Sequence, residues 1–324
     1  MTSTQSESDI TYNKCEASSL LFKILCKQTA HYASQMQLLY IENRTSRYHY
    51  IGRSKWNMFK AFILFLADII HDRSILWGLA KNDVKSKFAS SFLGTVWAFI
   101  QPLITILVFW FVFQAGFKSP PVDNVPFIVW FVPAYLVWTF FSEVLISSSC
   151  CITEYSYLLK KVDFRVSIIP LVKLISSSFV HVAFIALIIV INIAYGFYPT
   201  VYYFQVVYYF ICTVYMLVGL GWYLSSIAVF IRDTINLVNV VIQIGFWMTP
   251  IFWSIDTMNP FVLSILKLNP MYYICQGYRE SFISGIWFWQ HPAHTLYFWC
   301  IATVLFVLGA LVFKRLRPHF VDML

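Results

Sequence analysis

None of the eleven glycines is followed by lysine, so the chain cannot build the phosphate-cradling loop that an ATPase needs. No HExxH pair, DxD or HxxxxD arrangement occurs either. Glycosyl or acyl transfer at a membrane face would need positioned acids, bases or a metal, and no such cluster can be read here. The seven cysteines, at positions 15, 26, 150, 151, 212, 275 and 300, show no CxxC pair and no zinc-like spacing with histidine. They read as small apolar side chains in reduced surroundings, and no metal centre is expected. These residues point to a conduit rather than a catalyst.

Aromatic side chains dominate what is left: 31 Phe, 20 Tyr and 12 Trp. Tyr208, Tyr215 and Trp222 lie seven apart and share one helix face, with Tyr202, Tyr209 and Tyr223 as a neighbouring row. Tyr215 falls near mid-bilayer, where a hydroxyl needs a partner. Glu143 and Lys173 lie toward inner ends of apolar stretches, where long side chains reach water cheaply. His181 is deeper and reads as an interhelical hydrogen-bonder, while His291 and His294 fall at the outer interface. No ladder of buried acids supports ion-coupled transport. Pro102, Pro133, Pro170 and Pro250 lie within apolar stretches and predict kinks.

The elements that position these residues follow from composition. Of 324 residues, 59% are hydrophobic and 12% charged, with a mean hydropathy of +0.68. A soluble domain averages about 25% charged residues, so lipid must cover the missing polar surface. Six stretches are long and apolar enough to cross: 92–115, 126–149, 168–195, 201–230, 234–253 and 293–313. Ahead of them, 72–91 reads as an amphipathic interfacial helix. Leu76, Ala80, Val84 and Phe88 recur every four residues, with Lys81, Asp83, Lys85 and Lys87 on other faces. Residues 1–71 form a polar, cytosolic N-terminal extension without the pattern of a cleaved signal. Between spans five and six, 254–292 suits two short amphipathic helices dipping into the outer leaflet. The expected fold is all-α and polytopic.

Basic residues set the orientation. With the N-terminus inside, twelve of the 23 Lys and Arg precede the first span, and only Lys118, Lys267 and Arg279 fall outside. Both termini are then cytosolic. Anionic lipid headgroups account for the net charge of +8, and no nucleic-acid partner is needed.

Five stretches carry a family resemblance. LWGLAKNDVKSKFASSFLGTVWAFIQPLITILVFWFVF (76–113), YLLKKVDFRVSIIPLVKLIS (157–176), VFIRD (229–233), FWMTPIFW (246–253) and LNPMYYICQGYRESF (268–282) occur in an order and spacing similar to the type-2 ABC exporter permeases that move O-antigen, capsule or teichoic acid. The resemblance covers about 74–324. The family often has proline after the KK pair, where this chain has Phe164, Arg165 and Val166.

The resemblance implies a homodimer in the bacterial inner membrane, each half docking a cytosolic ABC ATPase. This chain would hold no cofactor, and ATP and Mg would belong to the partner ATPase. The cargo would be a lipid-linked glycan. ATPase coupling falls to Glu154, Tyr155, Tyr157, Lys160 and Lys161, within a helical-looking stretch from Cys150, and to Arg232 and Asp233 at the next inner turn. Sugar rings have apolar faces and hydroxyl rims, which suits a path lined by Trp97, Phe109, Phe113, Tyr208, Tyr215, Trp222, Phe246 and Trp247. Pro250, Tyr278, Arg279 and Glu280 would shape an outer gate, although Arg279 and Glu280 could also simply pair with each other. Two alternatives stand beside this reading: a drug or small-lipid exporter of the same architecture, and a membrane-bound glycan-modifying enzyme.

Overall fold

The structure, a computed structural model, describes residues 73–87, 92–117, 125–159, 165–254 and 259–324. The extension 1–71 and the lysines at 160 and 161 lie outside these. Among the described residues the elements are helices and turns, with no strand. The chain is all-α.

Helix α1, Arg73–Lys87, buries Leu76, Leu79, Ala80 and Asp83, which share one face at helical spacing. The first span opens with a 3-10 turn, Gly94–Val96, continues as α2, Trp97–Phe109, and closes in a π turn, Trp110–Gly116. Helix α3, Phe127–Glu154, is 28 residues long, or about 42 Å at 1.5 Å per residue. That exceeds the ~30 Å of hydrocarbon, so α3 is long enough to cross with length left for tilt or for reaching past the hydrocarbon. It runs five residues past the expected end at 149. Cys150 to Glu154, read from the sequence as part of an inner loop helix, are therefore its last turn. Tyr155 is a turn residue, and α4, Ser156–Leu159, is a single helical turn.

Two of the four proline expectations change. Pro170 sits in the first turn of α5, Ile169–Ala194, where its missing N–H would have had no helical partner. It starts a helix rather than kinking one. Helix α6, Gln205–Phe230, follows a 3-10 turn at Val201–Phe204. Helix α7, Thr234–Met248, is only 15 residues long. It stops because Thr249 turns extended (ψ 134°) ahead of Pro250. Among the described residues, five helical stretches are thus long and apolar enough to cross, and α7 is a shorter apolar helix.

The segment expected to hold two short helices does so. Helix α8, Pro260–Leu266, and helix α9, Pro270–Arg279, each begin at an Asn-Pro pair. Asn259 and Asn269 each accept a bond from the backbone N–H two residues on, at 2.9 Å, and the proline occupies the first helical position. A π turn, Glu280–Ser284, ends the segment at Gly285, whose φ of 63° is left-handed. Helix α10, Pro292–Leu316, and the short α11, Phe320–Met323, complete the chain.

Helix α3 is the hub, with 72% of its most apolar window buried against 11% for the first span. It packs on α5, α6 and α9. Helix α10 lies along α6, and their backbones meet at Gly219 and Gly309. A Cβ on Gly309 would come within 2.0 Å of the Gly219 carbonyl oxygen.

Candidate functional site

Phe109, the last residue of α2, centres an aromatic nest. Its ring stacks on Phe131 at 5.0 Å and on Phe113 at 5.8 Å, and meets Phe252 at 5.9 Å and Phe246 edge-on at 6.5 Å. Phe113 stacks on Phe127, and Trp247 joins through Phe246 and Phe252. Phe127, Phe131 and Tyr135 continue as a stacked ladder up α3, as i, i+4 spacing dictates. The structure therefore brings Phe109, Phe113, Phe246 and Trp247 together. It adds Phe127, Phe131 and Phe252, which sequence reasoning missed although the i, i+4 row was visible. Trp247 is 59% exposed, so the nest opens along a bare apolar surface with Val240 and Ile244 of α7. Trp97 stands apart at the first turn of α2, about 18 Å along the helix from Phe109.

Tyr208, Tyr215 and Trp222 form a second group, seated on α10 and the outer segment. Tyr208 stacks on Phe288 at 4.0 Å, and its hydroxyl bonds Tyr273 at 3.2 Å and accepts from Trp299 Nε1 at 3.0 Å. Tyr215 stacks on Phe306 at 4.8 Å, and its hydroxyl donates to Thr303 across a long 3.5 Å. Trp222 Nε1 donates to the Ser167 carbonyl at 3.1 Å. The mid-span hydroxyl finds its partner on a neighbouring helix.

At the end of the bundle that carries α1 and α4, a cavity of about 880 Å³, its mainly apolar walls set with polar and charged side chains, opens between α1, α2, α3 and α5. Its walls include Gln101, Thr105, Thr139, Ser147 and Ser176, with His181 deep inside. Two ion pairs hold α1 over it: Lys87 with Glu143, and Asp83 with Lys173 at 2.6 Å. Lys173 also meets Glu154 at 2.7 Å, and the Tyr155 hydroxyl donates to Asp83 at 2.8 Å. Burial, with Asp83 beside it, pushes the Tyr155 hydroxyl far above its usual range, so it remains a donor. Lys173 does not reach out to water as its position suggested; it is 8% exposed and Asp83 6%. Removing one partner of such a pair costs about 3–5 kcal/mol, because the other charge is left buried. A charge inside a span signals that some partner exists, but no single sequence reveals a partner 90 residues away.

Tyr157 is exposed at this same end, as are Arg232 and Asp233. Asp233 stands at the start of α7 without a side-chain cap. His181 Nε2 pairs with the Tyr278 hydroxyl at 2.9 Å, bridging α5 to α9.

The expected gate residues lie at the opposite end. Arg279 is 3% exposed, donates from Nε to the Trp130 carbonyl at 3.1 Å and from Nη2 to the Ile251 carbonyl at 2.7 Å, and lies 3.5 Å over the Trp130 ring. Burial lowers its guanidinium to about 9, still above neutral pH, so a cation is held there. Glu280 turns away from it toward His291, 3.6 Å distant. Asn269 donates to Thr249 Oγ1 at 2.9 Å, so Asn269 and Arg279 together hold the turn containing Pro250. Tyr278 is fully buried.

A bundle of apolar helices, bored by a cavity at one end and bound by a pinned outer segment at the other, is the architecture of a multi-pass membrane permease. The chain matches the ABC-2 type transporter family over residues 75–283, and it belongs to that family. It is 25% identical over 262 residues to the O-antigen export system permease protein RfbA of Myxococcus xanthus, covering 80% of this chain and 99% of the relative. An RfbA of the same description from Klebsiella pneumoniae is 24% identical over 247 residues, covering 76% and 93%. The chain is a transport subunit rather than an enzyme.

Proposed function

We propose that the chain is the permease subunit of an ATP-driven exporter that moves lipid-linked polysaccharide, of O-antigen or capsule type, across the bacterial cytoplasmic membrane. The observation that carries this reading is similarity along nearly the whole length of permeases named for O-antigen export. Two copies pair, both termini are cytosolic, and separate ABC ATPase subunits bind ATP and Mg. The ATPases engage the inner loop at Glu154, Tyr155, Tyr157, Lys160 and Lys161, and the turn at Arg232 and Asp233. The bare apolar surface of α2 and α7 beside the aromatic nest supports a glycan path at the seam between two copies, lined by Trp97, Phe109, Phe113, Phe246 and Trp247. Tyr208, Tyr215 and Trp222 brace that path by seating α10. The turn at Pro250, held by Arg279 with Tyr278 and Glu280 behind it, forms the outer gate.

Deleting the gene is the test. Undecorated cell surfaces with glycolipid trapped inside, restored by the wild-type chain, are expected. Normal surface polymer after deletion would exclude this cargo. Accessibility tags at Ser119 and Asn259 are expected on the outer face, and cytoplasmic labelling there would reverse the orientation.

A further inference from the structure

A separate motor must push on α4, yet α4 is one turn long, so its movement has to be handed to something larger. Four side chains from four elements meet where it begins: Asp83 of α1, Glu154 at the end of α3, Tyr155 in the turn, and Lys173 of α5. Asp83 Oδ1 accepts from both Lys173 Nζ, at 2.6 Å, and the Tyr155 hydroxyl, at 2.8 Å. Lys173 Nζ also holds Glu154 Oε2 at 2.7 Å and lies 5.2 Å from the centre of the Tyr155 ring.

We propose that this cluster is the joint through which movement of the α4 turn reaches the interfacial helix α1, with Asp83 and Lys173 as its positioning residues, so that α1 moves over the cavity when the motor engages. The inference rests on the ATP-driven reading above, and goes beyond it by assigning work to two residues outside the ATPase contact.

Three observations support a joint over a simple staple. First, the rest of α1 is held by Leu76, Leu79 and Ala80, by an edge contact of Trp77 on Phe179, and by the exposed Lys87–Glu143 pair. Apolar contacts are non-directional and let helices slide, whereas charge-assisted hydrogen bonds fix distance and angle. The buried charged cluster ties α1 to the turn before α4 at a fixed distance and angle. Second, burial divides the cluster. The side chains of Asp83 and Lys173 are 8% and 10% exposed, but that of Glu154 is 49% exposed and shares its other oxygen with Cys150 Sγ. One half is fixed, and the half nearest α4 is free to exchange partners. Third, Asp83 and Lys87 are one turn apart on α1 and pair with two different helices lining the cavity, Lys173 of α5 and Glu143 of α3. A tilt of α1 therefore changes the cavity mouth.

Hydrogen exchange of peptides covering 73–87 tests this in the complex with its ATPase, with and without ATP trapped by vanadate. In the wild type, trapping is expected to change exchange there. Asp83→Glu, which keeps the charge but lengthens the arm by one methylene, is expected to blunt that change and lower export about tenfold while ATP hydrolysis continues. Asp83→Asn strands a buried lysine and can fail to fold, so the charge-free pair Asp83→Leu with Lys173→Met is the second variant. It is expected to restore protein level and ATP hydrolysis but not export. If both variants export within about twofold of wild type, with the exchange response of 73–87 intact, the joint is overturned. A wild-type response in 156–159 and 232–248 but none in 73–87 overturns the joint alone. A wild-type chain with no response to ATP anywhere overturns the exporter reading as well.

Discussion

Arg279 meets two carbonyls and an indole face within 3.5 Å, a set that only a flat, forked cation can serve at once. Arg279→Lys keeps the charge but cannot span Trp130 and Ile251 while lying on the ring. It is expected to lower stability by about 2–4 kcal/mol, read as a drop in thermal midpoint in detergent. An unchanged midpoint would show that charge alone suffices. Its neighbour behaves differently. Burial pushes the Glu280 carboxyl up from 4.5 to about 7. The folded chain keeps that proton to about 7, while the unfolded chain loses it near 4.5. Stability therefore falls as pH rises through this window, and the whole cost is felt above it. Glu280→Gln is expected to raise the thermal midpoint at pH 8, by on the order of 2–3 kcal/mol of stability, with the gain shrinking toward pH 5. A gain equal at both pH values would assign the effect to packing. The sequence marks these two residues as worth attention, yet adjacent opposite charges suggest a pair. They diverge because consecutive helical residues point about 100° apart.

At the scale of elements, α6 and α10 depend on two missing side chains. With a Gly309 Cβ only 2.0 Å from the Gly219 carbonyl oxygen, any side chain there forces the helices apart. Close approach through small residues is how spans associate where lipid offers no hydrophobic drive. Gly309→Leu is expected to cost at least about 1–3 kcal/mol and to loosen Tyr215 and Trp222 from Phe306 and Phe313, measurable as a lower melting point and shifted tryptophan fluorescence. Helices were legible wherever a local signal existed. The twin Asn-Pro caps of α8 and α9 are such a signal, and so is the apolar row of α1. The end of α7 was not, since FWMTPIFW is apolar on both sides of the break. Hydropathy carries the expected span to 253, whereas the backbone before Pro250 ends it at 248. For the same reason Pro170 looks like a kink in a hydropathy plot and is a helix start in the fold.

Across the whole molecule, the two aromatic groups separate by what their loss would do. Trp247 is 59% exposed and supports little packing, so Trp247→Ala is expected to leave protein level unchanged while reducing glycan export. Tyr215→Leu is expected to act the other way, lowering stability through lost contact with Phe306 and affecting export only as much as protein is lost. Equal export defects at equal protein level would join both groups into one path. Membrane residence, helical class and basic-residue bias are whole-chain averages, and one sequence contains them. Which aromatics meet is a matter of helix rotation and depth, as Tyr215 on Phe306 and Phe109 on Phe131 show, and the buried Asp83–Lys173 pair depends on contacts 90 residues apart.

The uneven burial of the spans has a consequence for how the chain is made. The two most enclosed, Phe127–Glu154 and Val201–Phe230, are 72% and 50% buried and have the lowest hydropathies, 1.6 and 1.7, while the three barer spans run from 2.2 to 2.6. Bare spans must partition into lipid unaided as they leave the ribosome, whereas enclosed ones can lean on neighbours already in place. A polar residue introduced on the outward side of Trp97–Phe109 should therefore fail early, at insertion by the translocon, and one introduced into Phe127–Glu154 should fail late, as an inserted but misassembled chain handed to quality-control proteases.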